Sequence, residues 1–96
     1  MFTKELTVTT PITPDMSEQK IEELRWYTRE SFEKRAADLG LTLIDYREID
    51  VPAKELPPKT VGLFPEKTRW IRFVGVGRYS PEVEAILEQR QGIVNE

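Results

Sequence analysis

The chain has 96 residues, no Cys and no His, and 17 acidic against 14 basic side chains for a formal net charge of −3. This length suits one small domain with a single core. Missing cysteine excludes a disulfide framework and thiolate chemistry, missing histidine removes the commonest general base and transition-metal ligand, and the interspersed acidic balance counts against broad attraction to nucleic acid or an anionic membrane.

Residues 2–9 alternate, with Phe2, Leu6 and Val8 on one face and Thr3, Glu5, Thr7 and Thr9 on the other, which predicts a first strand with one wet face. Thr13-Pro14-Asp15 then reads as a helix start: an N-cap residue, Pro at the first position and an acid beside the positive end of the dipole. No further Pro or Gly occurs before Gly40, so residues 14–39 read as one helix, about 39 Å long. Strands of seven to nine residues reach only about 23 to 31 Å. The helix therefore either breaks near Met16-Ser17 or overhangs its sheet. At about 100° per residue, Ile21, Leu24, Thr28, Phe32, Ala36 and Leu39 form the inner stripe. Trp26 points elsewhere, into a face made of Glu22, Glu23, Arg29, Glu30 and Glu33.

Leu41 to Ile49 predicts a second strand whose faces are ambiguous, because Leu41 and Leu43 alternate with Ile44 and Tyr46. Residues 51–68 carry Pro52, Pro57, Pro58, Pro65 and Gly62 and read as a long loop, ordered by its apolar Leu56, Val61, Leu63 and Phe64. A third strand at about 69–77 runs into a second helix start, Ser80-Pro81-Glu82. That helix reads as Pro81 to Gln91, with Val83, Ile86 and Leu87 inward and Gly92 ending it, and Ile93-Val94 form a short fourth strand or a docked tail. The order strand, helix, strand, strand, helix predicts a single α+β domain over 1–96. The expected arrangement is a ferredoxin-like split β-α-β sandwich, an antiparallel sheet with its helices on one face. The amino terminus lacks a signal pattern and no apolar run approaches the roughly 20 residues of a membrane span, so a soluble cytoplasmic protein is expected. The composition also suits an accessory protein of a bacterium or its phage.

No cluster supports a catalytic residue, a cofactor or a metal. Gly75-Val76-Gly77-Arg78 before the second helix start would offer backbone N–H groups and a guanidinium to a phosphate, but Ser80 stands where a dinucleotide fingerprint needs its third glycine. The competing reading is that both glycines let a helix approach the strand. Asp45, Glu48 and Asp50 put three carboxylates within six residues, and strand alternation sends Asp45 and Glu48 to opposite faces.

Trp70, Arg72, Val74, Val76 and Arg78 share one face of the third strand. Such a face could stack single-stranded RNA, yet its valines call for a cover, either the proline loop or a second copy of the chain. Trp26 among charges is either the centre of a recognition patch or lies under Phe64, Leu63 or Val61. The expected function is a non-enzymatic, self-associating protein-interaction module: a homodimer through Trp70, Val74 and Val76, with Arg72 and Phe64 among its contact candidates and Trp26 left for a different protein. The alternatives are a nucleic-acid module using Trp70, Arg72 and Arg78, and a dimeric α+β-barrel enzyme or binder with a cavity lined by Tyr46, Phe73 and Tyr79.

Overall fold

Hydrogen bonding spreads from a central strand in the structure, a computed structural model that describes residues 2–95, with side chains through Arg90. The strand is β3 (Arg69–Tyr79), and both of its edges are paired antiparallel: one with β1 (Thr3–Ile12), the other with β2 (Leu41–Asp50). The sheet order β1-β3-β2 leaves β1 and β2 parallel to each other on either side of β3. The protein is thus α+β with a three-stranded antiparallel sheet. Pro11 is tolerated because β1 is an edge strand, where a missing N–H need not interrupt the ladder.

β2 resolves its own ambiguity by a bulge. Leu43 pairs with Gly77 and Asp45 with Val76, so Ile44 is the extra residue. One inserted residue inverts the alternation, and Leu41, Leu43 and Tyr46 all come to the same side of the sheet.

Helix α1 (Glu18–Asp38) begins later than the Thr13-Pro14-Asp15 pattern predicts. Those residues form a turn closed by Met16 N–H donating to Thr13 O at 3.1 Å, and the cap is Ser17, whose Oγ accepts from Lys20 N–H at 3.1 Å. The turn ends the overhang by returning the chain to the sheet before helix begins. Gly40, at φ 75°, supplies the left-handed residue after the helix. Along the inner stripe Thr28, Phe32 and Ala36 are buried, whereas Leu39, the C-cap residue, is exposed. Phe32 reaches the sheet because position 75 has no side chain: a Cβ there would lie 2.9 Å from Phe32 Cδ2 and 3.0 Å from Leu43 Cδ1. The core gathers around this contact, with Leu6, Ile12, Leu41, Ile71 and Phe73.

The proline segment is ordered, as a 3-10 turn (Ala53–Glu55) and the short helix α2 (Pro58–Val61). Helix α3 (Pro81–Asn95) starts on Ser80, whose Oγ accepts from Val83 N–H at 3.4 Å. Two expectations fail here. Gly92 does not end the helix, since a helical glycine costs only about 1 kcal/mol, and residues 93 and 94 continue α3 instead of forming a fourth strand. Among the described residues only α1 packs broadly on the sheet, against β2 and β3, and the radius of gyration of 17.4 Å far exceeds the roughly 12.5 Å of a compact chain this long.

Gly75→Ala is expected to lower stability by about 1–3 kcal/mol through overpacking against Phe32. Urea denaturation measures this directly, and an unchanged midpoint would mean that the ring can withdraw at no cost.

Candidate interaction surface

The two tryptophans have opposite surroundings. Trp70 is 5% exposed, with the Phe64 ring set edge-on at 5.2 Å between centroids and 88° between planes. The loop is tied to the same residue at its start, where Val51 N–H donates to Trp70 O at 2.8 Å. Val74, on the same face, is buried, and Val76 is half-buried. The chain's own proline loop therefore covers Trp70, which removes the excess apolar surface from which a sheet-to-sheet homodimer was expected. Phe64 goes to Trp70 and not to Trp26.

This geometry also closes the stacking platform of the nucleic-acid alternative at Trp70. Arg72 is engaged within the sheet, its Nε donating to Thr9 Oγ1 at 3.3 Å, and Arg78 lies 4.0 Å from Glu84. Gly75 and Gly77 are explained by close approach: a Cβ at 77 would sit 2.9 Å from Leu41 Cβ. The three carboxylates of β2 are each held by a different arginine, Asp45 by Arg47 at 3.6 Å, Glu48 by Arg25 at 2.6 Å and Asp50 by Arg69 at 3.0 Å. Among the described residues no three acidic side chains are grouped to hold a metal ion. No helix there is long and apolar enough to cross a membrane.

The rings proposed to line a barrel cavity instead fill the core. Tyr46 stacks on the fully buried Phe73 with 6.2 Å between centroids and meets Phe32 edge-on at 5.9 Å, while Tyr79 packs against the same cluster near the far end of β3. Tyr46 is half-buried, with Arg29 5.7 Å over its ring. Burial, followed by the neighbouring Glu48 carboxylate, raises its phenol above the ordinary value.

Trp26 stands clear of all this. It is 59% exposed and meets Tyr27, 64% exposed, edge-to-face at 5.0 Å and 76°. Both residues lie off the buried stripe of α1, and a shallow hollow runs from the two rings past Glu30, Lys34, Arg35 and Asp38. Tyr27 was not singled out from the sequence, although its position next to Trp26, also outside the Phe32 stripe, was a readable signal. The Phe64–Trp70 contact had no sequence signal, because it depends on the path of an irregular loop.

Acrylamide quenching separates the two environments. Trp26→Phe is expected to leave a blue-shifted, poorly quenched emission from Trp70, and Phe64→Ala to make that emission quenchable. Trp70→Ala should cost about 3–5 kcal/mol of stability. At alkaline pH the raised Tyr46 phenol favours the folded chain fully below its unfolded value and loses that contribution as pH rises through the folded value. Tyr46→Phe should accordingly flatten the fall in stability above about pH 10, and an identical alkaline profile for both proteins would refute this assignment. No known protein family, curated protein or solved structure matches this chain.

Proposed function

We propose that this chain is a non-enzymatic protein-interaction module that self-associates and offers the Trp26–Tyr27 pair to a protein partner. The observation that carries the reading is the contrast between the tryptophans: the chain folds the 18-residue segment between β2 and β3 over Trp70, a length at which loops are often functional, and leaves Trp26 at 59% exposure with Tyr27 beside it. Large aromatics supply contact area at low entropic cost and are enriched among residues that dominate binding. Glu30, Lys34, Arg35 and Asp38 around the hollow give the mixed polar rim that usually surrounds such a centre.

Self-association is supported by a second set of uncovered apolar side chains, Val8, Leu39 and Ile86, and by a shape of 53 × 28 × 16 Å that a compact single chain would not adopt. The sheet order, with α1 connecting outer strands that run parallel, supports a ferredoxin-like reading in which the second helix has left the sheet. The nucleic-acid alternative would need Arg72 and Arg78 to act without an open aromatic ring, and the barrel alternative would need stacked Tyr46 and Phe73 to part. Neither has an observation in its favour.

Light scattering after size exclusion tests the first half of the proposal. Mass should rise with concentration from 11.2 kDa toward twice that value, and a monomer at every concentration overturns self-association. Trp26→Ser tests the second half: it should dimerise like the wild type, keep its fold by circular dichroism, and lose the proteins that the wild type retains from lysate. Retention of the same proteins by the variant overturns the aromatic site.

A further inference from the structure

Helix α3 is amphipathic and has little to rest on. Val83 and Leu87 are half-buried, Ile86 is 52% exposed, and the described ties to the body are at its start: Ser80 N–H donates to Gly40 O at 3.3 Å, and a Cβ built on Gly40 would lie 3.7 Å from Val83 Cγ2. Isolated helices shorter than about 12–15 residues are marginal in water, so a projecting helix of 15 residues needs a surface to stabilise it.

A matching surface is open on the same molecule. Pairing with Gly77, Gly75, Phe73 and Ile71 puts Lys4, Leu6, Val8 and Thr10 of β1 on the side of the sheet that α1 occupies. The helix itself lies over β2 and β3. Leu6 is buried beneath its edge, but Val8, directly opposite the fully buried Phe73, is 36% exposed. A helix of 15 residues is about 22 Å long, which fits along a strand of 10 residues, about 33 Å.

Charge favours the match. The flank of α1 beside β2 is internally paired: Arg25 bridges Glu22 and Glu48, and Arg29 meets Glu33. Its other flank, by helical spacing, carries Lys20 and Arg35 with Asp38, and Lys4 lies on β1. The described part of α3 carries Glu82 and Glu88 against Arg90, with Glu84 already 4.0 Å from Arg78, so its net charge is opposite in sign to that of the strip.

The joint decides which α3 occupies the strip. Only Ser80 separates the end of β3 from the start of α3. Pro81 fixes its own φ and confines Ser80 to extended backbone, whereas strand-to-helix connections usually take about two to six residues. A joint too short and stiff to fold a helix back on its own sheet favours exchange between copies. We infer that two copies of this chain exchange α3, each helix lying on the β1 strip of the other beside its α1, in a two-fold dimer. This rests on the self-association proposed above and identifies the surfaces that make it.

The absence of cysteine allows a direct test. Val8→Cys and Ile86→Cys chains, one bearing a size tag, are unfolded together, refolded and oxidised. The expected product is a disulfide between positions 8 and 86 of different chains, located by mass spectrometry, while Leu63→Cys at the loop tip in place of Ile86→Cys gives none. In a chain carrying both Val8→Cys and Ile86→Cys, a covalently closed monomer would overturn exchange, because α3 then folds back on its own sheet. A dimer by light scattering without the 8–86 disulfide would also overturn exchange while leaving self-association standing, and a monomer throughout would overturn both. Inserting three Gly/Ser residues after Ser80 should shift the dimer toward monomer by at least tenfold in dissociation constant, and an unchanged constant would overturn the role of the joint.

Discussion

The contact between Phe32 and the bare backbone of Gly75 fixes where α1 sits, and most other features follow from it. Phe32 is fully buried, and full burial of a Phe side chain contributes roughly 1.5–3 kcal/mol. The ring can take that position only because position 75 lacks a Cβ, and it is held there between Leu43 and Tyr46, which the Ile44 bulge has turned to the helix side. Both neighbours come from β2, so α1 is drawn over β3 and β2 and away from β1. Arg25 and Arg29 then reach Glu48 and Tyr46, reinforcing the same offset. With Phe32 aimed at the sheet, Trp26 six positions earlier is turned about 120° away and meets solvent.

The opposite face of β3 is covered by different means. Among the described residues only α1 packs broadly on the sheet, yet Trp70 and Val74 are nearly as well buried as the residues under it. Over Trp70 the loop accomplishes this with one aromatic side chain and one backbone hydrogen bond, Phe64 on the indole and Val51 N–H on the Trp70 carbonyl. An edge-to-face pair is worth about 0.5–1.5 kcal/mol beyond its buried area. β3 thus carries a helix layer on one side and a loop layer on the other, which accounts for a strand apolar on both faces.

Elements with local causes were legible in the sequence. The strand patterns, the Ser80-Pro81 helix start, Gly40 after α1 and the outward Trp26 each depend on residues within a few positions of one another. The failures have a common origin in competition between signals that look alike locally. Thr13 and Ser17 are both good caps, and the sheet decided between them because a helix from Pro14 would have overrun it. Ile44 looked like one more strand residue, and only pairing with β3 could identify it as the inserted one. Gly75 and Gly77 are strand glycines whose role depends on Phe32 and Leu41 arriving from elsewhere. The cover on Trp70 was foreseen as loop or second copy, but choosing between them required the fold of an 18-residue irregular segment, about which residue patterns carry little information.

The offset of α1 also sets how the two proposed surfaces lie relative to each other. Trp26 lies on the helix flank that turns toward β2 and solvent, whereas the β1 strip borders the opposite flank, with Lys20 and Arg35. An α3 docked on that strip would bury Val8 on the flank opposite Trp26, while Arg35 and Asp38 border both the strip and the hollow beside Tyr27, so the two surfaces meet along that edge. A two-fold dimer would then present two Trp26 sites on one body, and a partner with repeated epitopes could engage both, gaining avidity with no new contact. Had Phe32 been centred over β1, the strip would be filled and Trp26 would have turned with the helix. The same missing side chain at Gly75 therefore governs both the space left for a second copy and the direction in which the exposed aromatic pair points.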